Sequence, residues 1–147
     1  MRARLLHEAG GQRTFSIVLE TDDEVLACLT EFAQRERLNA SQFTAIGAFR
    51  RAVLGYFEWE RKDYRRNPIE EQVEVASLVG DVAQGQGGAP ALHIHAVLGR
   101  RDGTAVAGHL LEGYVRPTLE VVLTESPAHL RKRHDSESGL ALIDPLC

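Results

Sequence analysis

A single amphipathic helix followed by six strand-like segments leaves this chain few ways to fold. Over residues 22–37, Val25, Leu29, Phe32 and Ala33 recur at helical spacing and make one apolar stripe. Thr21 with Glu24 has the form of a capping box, in which the hydroxyl and the carboxylate satisfy the first free amides reciprocally. Leu38-Asn39 marks the end of the helix. Before it, residues 4–7 and 14–19 read as two strands around the turn Gly10-Gly11. After it, segments 42–49, 52–59, 72–79, 91–99, 104–111 and 118–124 are rich in β-branched, aromatic and apolar residues. Asn67-Pro68, the loop Gly85-Gln86-Gly87-Gly88 and Asp102-Gly103 supply turn signals between them. A second, short helix is expected over 127–134, with Pro127 near its first turn. The expected architecture is α+β: a single domain over residues 1–147, a largely antiparallel sheet packed with one long and one short helix.

Composition narrows the class further. At 147 residues, 44% hydrophobic and 26% charged, the chain has enough apolar material for a core without staples. The longest apolar stretch, Ala52 to Phe57, is far short of the ~20 residues of a membrane helix. Near the N-terminus, charges flank the two-residue island Leu5-Leu6, which is no secretory signal. Cys28 and Cys147 lie far apart without metal spacing, so a cytoplasmic protein with free thiols is expected.

The segment Leu92-His93-Ile94-His95-Ala96-Val97-Leu98 carries the chemistry. On a strand, Leu92, Ile94, Ala96 and Leu98 form one apolar face, and His93 and His95 share the other, about 7 Å apart. The turn that follows decides whether a third histidine joins them. If Arg101-Asp102-Gly103 is a three-residue loop with Gly103 in its left-handed slot, Arg100 pairs with Thr104 and His95 falls opposite His109. A two-residue loop, Asp102-Gly103, would send His109 to the other face. The position of the glycine favours the first register. Three neutral imidazoles on one face suit zinc and related divalent ions, with a fourth position left open.

Other candidates carry less. Glu120 interrupts Leu119, Val121 and Leu123 and faces away from them, which makes it a candidate fourth ligand or orienting carboxylate. Arg61-Lys62-Asp63-Tyr64-Arg65-Arg66 is the densest basic run; Arg61, Lys62, Arg65 and Arg66 are candidate nucleic-acid contacts, with Tyr64 as a stacking aromatic. Glu70, Glu71 and Glu74 dilute its field, and the net charge of −4 speaks against a dedicated nucleic-acid domain. Neither a nucleophile elbow nor a phosphate-binding glycine loop is present, and no catalytic residue is assigned.

At these residues the sequence resembles a known family. Leu92-His93-Ile94-His95, Gly99, Asp102-Gly103, Gly108-His109-Leu110 and Glu112-Gly113 are similar to the prokaryotic branch of the PPC (plants and prokaryotes conserved) domain. Ala45-Ile46-Gly47-Ala48 and Leu54-Gly55-Tyr56-Phe57 match the same pattern upstream, and the resemblance covers nearly the whole chain. It implies an α+β domain that assembles as a homotrimer. It also implies a link to DNA, since in plants the domain sits beside AT-hooks and prokaryotic members carry the label by association. Ala107 departs from the pattern, where members often have glycine. The AT-hook core Arg-Gly-Arg-Pro is missing, so DNA binding is expected to be weak and sequence-independent.

The expected function is that of a non-catalytic, trimeric, regulatory or DNA-associated protein with a metal, zinc by its donor set, at His93, His95 and His109. The alternative is a zinc-dependent enzyme or sensor acting on a small molecule at the same histidines.

Overall fold

The computed structural model describes residues 1–146, and Cys147 lies outside the described residues. In chain order the elements are β1 (Arg2–Ala9), β2 (Gln12–Glu20), α1 (Val25–Glu36), β3 (Ala40–Glu58), β4 (Asp63–Ile69), β5 (Val73–Gln84), β6 (Pro90–Gly99), β7 (Ala105–Glu125), β8 (Arg131–His134) and β9 (Ala141–Asp144). All nine strands join one sheet. The pairings are antiparallel except for a single parallel bridge, Gln84 to Arg131, between β5 and β8. β3 pairs with β5, β5 with β6, β6 with β7 and β7 again with β3, so these four close into a ring.

The helix presents the expected stripe: Val25, Leu29, Phe32 and Ala33 are all buried. It packs against β6 and β7, and Phe32 meets Phe15 of β2 edge to face at 5.2 Å. The start differs from the expected capping box. Glu24 itself is the cap, its carboxylate accepting the Ala27 amide at 2.7 Å, while the Thr21 hydroxyl donates to the Pro117 carbonyl. Arg37 turns left-handed (φ 56°), and the Leu38 amide closes the helix onto the Ala33 carbonyl. Cys28 sits half-buried at the edge of the core, and burial raises its thiol pKa, followed by the charge of Asp23.

Three expectations change. Segments 42–49 and 52–59 are one strand, β3, because Arg50 and Arg51 do not turn the chain. Their side chains lie over the Tyr114 ring, Arg51 at 3.8 Å, and Arg50 also pairs with Asp22. Segments 104–111 and 118–124 are likewise one strand, β7, whose middle stays paired with β3. The short helix over 127–134 does not form. Arg131–His134 is strand β8, paired with β9 in a hairpin. That stretch lacks an apolar stripe to bury as a helix, whereas as a strand it turns Lys132 inward and leaves Arg131 and Arg133 exposed.

At the far end of β3 and β7 a buried carboxylate ties the strands together. Glu125 accepts from the amides of Asn39 (3.0 Å) and Ala40 (3.2 Å) and from the Ser41 hydroxyl.

Candidate metal centre

The turn between β6 and β7 takes the three-residue form. The Arg100 amide donates to the Thr104 carbonyl at 2.8 Å, and Gly103 has φ 85°, a value that a side chain would disfavour. Asp102 accepts from the Thr104 amide and hydroxyl and fixes the corner. His95 therefore pairs with His109. Ile94, Ala96 and Leu98 are buried on the core side, and His93 and His95 project from the opposite face.

The three imidazoles converge. One nitrogen from each of His93, His95 and His109 lies within 4.8 Å of the others. The Nε2 atoms of His93 and His95 are 3.2 Å apart. Two nitrogens bound at about 2.05 Å to a tetrahedral ion would be separated by about 3.3 Å, so this pair already has near-ligating spacing. Nδ1 of His109 is buried without a hydrogen-bond partner among the described residues. A buried nitrogen left in that state is one that an ion would satisfy. The donor set and the orphaned nitrogen fit a divalent metal.

Neighbouring elements hold these rings in place. Asp81 of β5 pairs directly with His93, and its Oδ2 is 3.4 Å from His93 Nδ1. This leaves Nε2 of His93 turned to the cluster, the usual arrangement for a ligating histidine backed by a carboxylate. Lys132 of β8, its side chain only 5% exposed, approaches the other Asp81 oxygen to 3.0 Å, as a charge contact rather than a well-directed hydrogen bond. Burial alone would raise the Asp81 pKa, but the close approach of His93 and Lys132 outweighs it and holds the carboxyl below its usual range. Tyr64 of β4 stacks on His109 at 4.7 Å and 24°. Gly55, the β3 partner of His109, makes room for this: a Cβ there would come within 2.8 Å of Tyr64 Cδ1.

The electrostatics favour the neutral form of His109 and His95. Burial, then the neighbouring His93, His95 and Lys132, push the His109 pKa down to about 4. Burial, then His93, lowers that of His95. Neutral imidazole is the form that ligates a metal.

Glu120 is not part of this group. Because 104–111 and 118–124 are one strand, it lies further along β7, exposed and paired with Val18 and Ile46. The basic run borders the histidines through Tyr64 but is half neutralised. Arg61 pairs with Glu58 at 3.5 Å, Arg66 bonds Glu112, and Lys62 sits over the Trp59 ring at 3.4 Å. Arg65 lies on β4 opposite Tyr56. Asp63–Ile69 forms β4, paired among the described residues only with β3, and an edge strand tolerates both the charges and Asn67-Pro68.

Asp81 and Lys132 are the site residues that sequence reasoning missed, and Tyr64, expected to stack on a base, stacks on His109. A lone carboxylate in the apolar run Leu78-Val79-Gly80-Asp81-Val82-Ala83 was the one local signal.

A cleft of about 400 Å³ opens beside His93 and His109, walled on one side by the β8–β9 hairpin. No helix is long and apolar enough to cross a membrane among the described residues.

The Plants and Prokaryotes Conserved (PCC) domain profile matches residues 6–127. Among solved structures, a plant- and prokaryote-conserved (PPC) protein from Pyrococcus horikoshii superposes with a TM-score of 0.84 at 28% identity, over 99% of this chain and 96% of that one. A metal-containing protein from Archaeoglobus fulgidus gives 0.82 at 31% identity, over 97% and 99%. A candidate DNA-binding protein from Bacteroides thetaiotaomicron gives 0.84 at 25% identity, over 97% and 96%. Among curated proteins, none matches the sequence. With its strand order, its histidine-bearing hairpin and a profile match over most of its length, the chain belongs to the Plants and Prokaryotes Conserved (PPC) domain family.

Proposed function

We propose that this chain is a stand-alone, non-catalytic PPC-domain protein whose working part is a metal centre at His93, His95 and His109. The observation that carries the reading is the convergence of three imidazole nitrogens within 4.8 Å. An all-imidazole donor set suits zinc among the common divalent ions. Bound there, the ion would offer a Lewis-acidic position open to a ligand. Asp81 orients His93, Tyr64 sets the plane of His109, and burial keeps His109 unprotonated. The metal-containing relative supports the same reading. The enzyme alternative calls for a carboxylate free to take a proton, and Asp81 is engaged by His93 and Lys132.

A homotrimer is the second part of the proposal. Val122, Thr44, Val79 and His95 form one row across β7, β3, β5 and β6. Val122 and Val79 in that row are about half exposed and Ile46 nearby is 62% exposed, which is unusual for aliphatic side chains grouped on one sheet face. Association around a three-fold axis would cover them. DNA association is retained only as a weak activity, because the basic run is interleaved with Glu58, Asp63 and Glu112.

Metal analysis of untagged protein together with light scattering tests the whole reading. The expected result is about one divalent ion per chain and a mass three times 16.3 kDa. Failure to bind zinc when it is supplied would overturn the metal centre, and a stable monomer would overturn the trimer.

A further inference from the structure

The cleft beside the histidines has a lining of two chemical kinds. His93, His109 and Lys132 supply its polar part, and Leu92, Leu142 and Ile143 its apolar part, with Lys132 and Ile143 directly paired in the β8–β9 hairpin. Its volume of about 400 Å³ is in the range of small-molecule sites. Leu142 and Ile143 are 46% and 40% exposed, although they lie within the paired part of the hairpin. Apolar side chains left uncovered in a concavity are positioned to meet an apolar ligand.

The polar lining has a definite charge. Three neutral imidazoles holding a dication, with Lys132 and Asp81 cancelling, leave about two net positive charges facing the cleft. An ammonium carries three donors, and its charge contact with Asp81 leaves donors for a ligand. Lys132 is nearly buried and yet lines the cleft, so a ligand arriving there would find a donor already desolvated. The polar lining thus combines an open metal position with a desolvated N–H donor, and both suit an anionic oxygen ligand.

Of the apolar residues, Leu142 and Ile143 belong to the C-terminal hairpin and Leu92 to β6. Family similarity by profile stops at residue 127, whereas Lys132, Leu142 and Ile143 all follow it.

Resting on the metal-centre reading above, we propose that this cleft binds a small organic carboxylate with an apolar body. The carboxylate reaches the metal position and Lys132, and the body lies against Leu142 and Ile143 of the hairpin.

Cobalt(II)-loaded protein, followed by its visible spectrum and by calorimetry, tests this with acetate, butyrate and hexanoate, and with hexanol as the neutral control. The carboxylates are expected to shift the cobalt bands, and affinity should rise by about fourfold for each methylene buried. Hexanol should bind at least tenfold more weakly than hexanoate. Lys132→Met should weaken hexanoate by about tenfold. Leu142→Ala, at an exposed position that leaves folding intact, should reduce the gain from acetate to hexanoate while acetate itself binds as before. Cobalt bands that form but ignore carboxylates, or affinities flat with chain length, would overturn the carboxylate proposal and leave the metal centre standing. Failure to form cobalt bands at all would remove both.

Discussion

His93 and Asp81 face each other across the β5–β6 ladder, with imidazole Nδ1 3.4 Å from carboxylate Oδ2. The carboxylate thereby selects which nitrogen of His93 is presented to the cluster. Asp81→Asn keeps the shape and removes the charge, and zinc affinity should fall by about 10–100-fold. Competition against a chromophoric chelator measures this. A change below about threefold would show that Asp81 does not orient the ligand.

Removing a ligand should do more than removing its support. His95→Ala and His109→Ala should each abolish stoichiometric zinc retention after gel filtration. His129→Ala should retain zinc fully, because His129 is hydrogen-bonded to Asn39 outside the cluster. Full occupancy in both ligand variants would overturn the assignment.

The pH dependence follows from His109. Folded, it titrates at about 4; its ordinary value is 6.5. Between those values the unfolded state binds a proton that the folded state refuses, so stability falls as pH drops through that window and is level above it for this group. The shift of His95 acts in the same direction. Urea unfolding of metal-free protein from pH 7.5 to 4.5 should show the decline, and His109→Gln should flatten it. An unchanged slope in the variant would assign the effect elsewhere.

Glu125 should matter for stability and not for metal. Glu125→Ala strands the Asn39 and Ala40 amides and the Ser41 hydroxyl in a buried place, at a cost of about 2–3 kcal/mol. The urea midpoint reports the loss, and zinc stoichiometry should stay unchanged.

On DNA, anisotropy titration at physiological salt should give weak binding without sequence preference. The triple variant Arg61→Ala, Arg65→Ala, Arg66→Ala should lower it further and reduce its salt dependence. Tight, sequence-selective binding by the unmodified protein would overturn this reading.

The centre of the site was legible because its determinants are local. Alternation over Leu92–Leu98 assigns faces by the two-residue period of a strand, and Gly103 sets the turn that brings His109 opposite His95. The same locality made the helix stripe readable through Val25, Leu29, Phe32 and Ala33. Its capping was not, because the choice between Thr21 and Glu24 depends on Pro117, whose carbonyl takes the Thr21 hydroxyl.

What the sequence determined by itself was a strand-rich fold with one buried helix and a three-histidine face, since periodicity and turn chemistry act over a few residues. Only the tertiary structure decided what surrounds that face. Asp81, Tyr64 and Lys132 come from three other strands, and their convergence depends on long-range pairing that no short pattern encodes. The same pairing carried β3 and β7 through places that look like breaks, and placed Glu120 away from the histidines. It also made a strand of Arg131–His134, where a helix would have had no apolar stripe to bury and the edge of the sheet offered a partner.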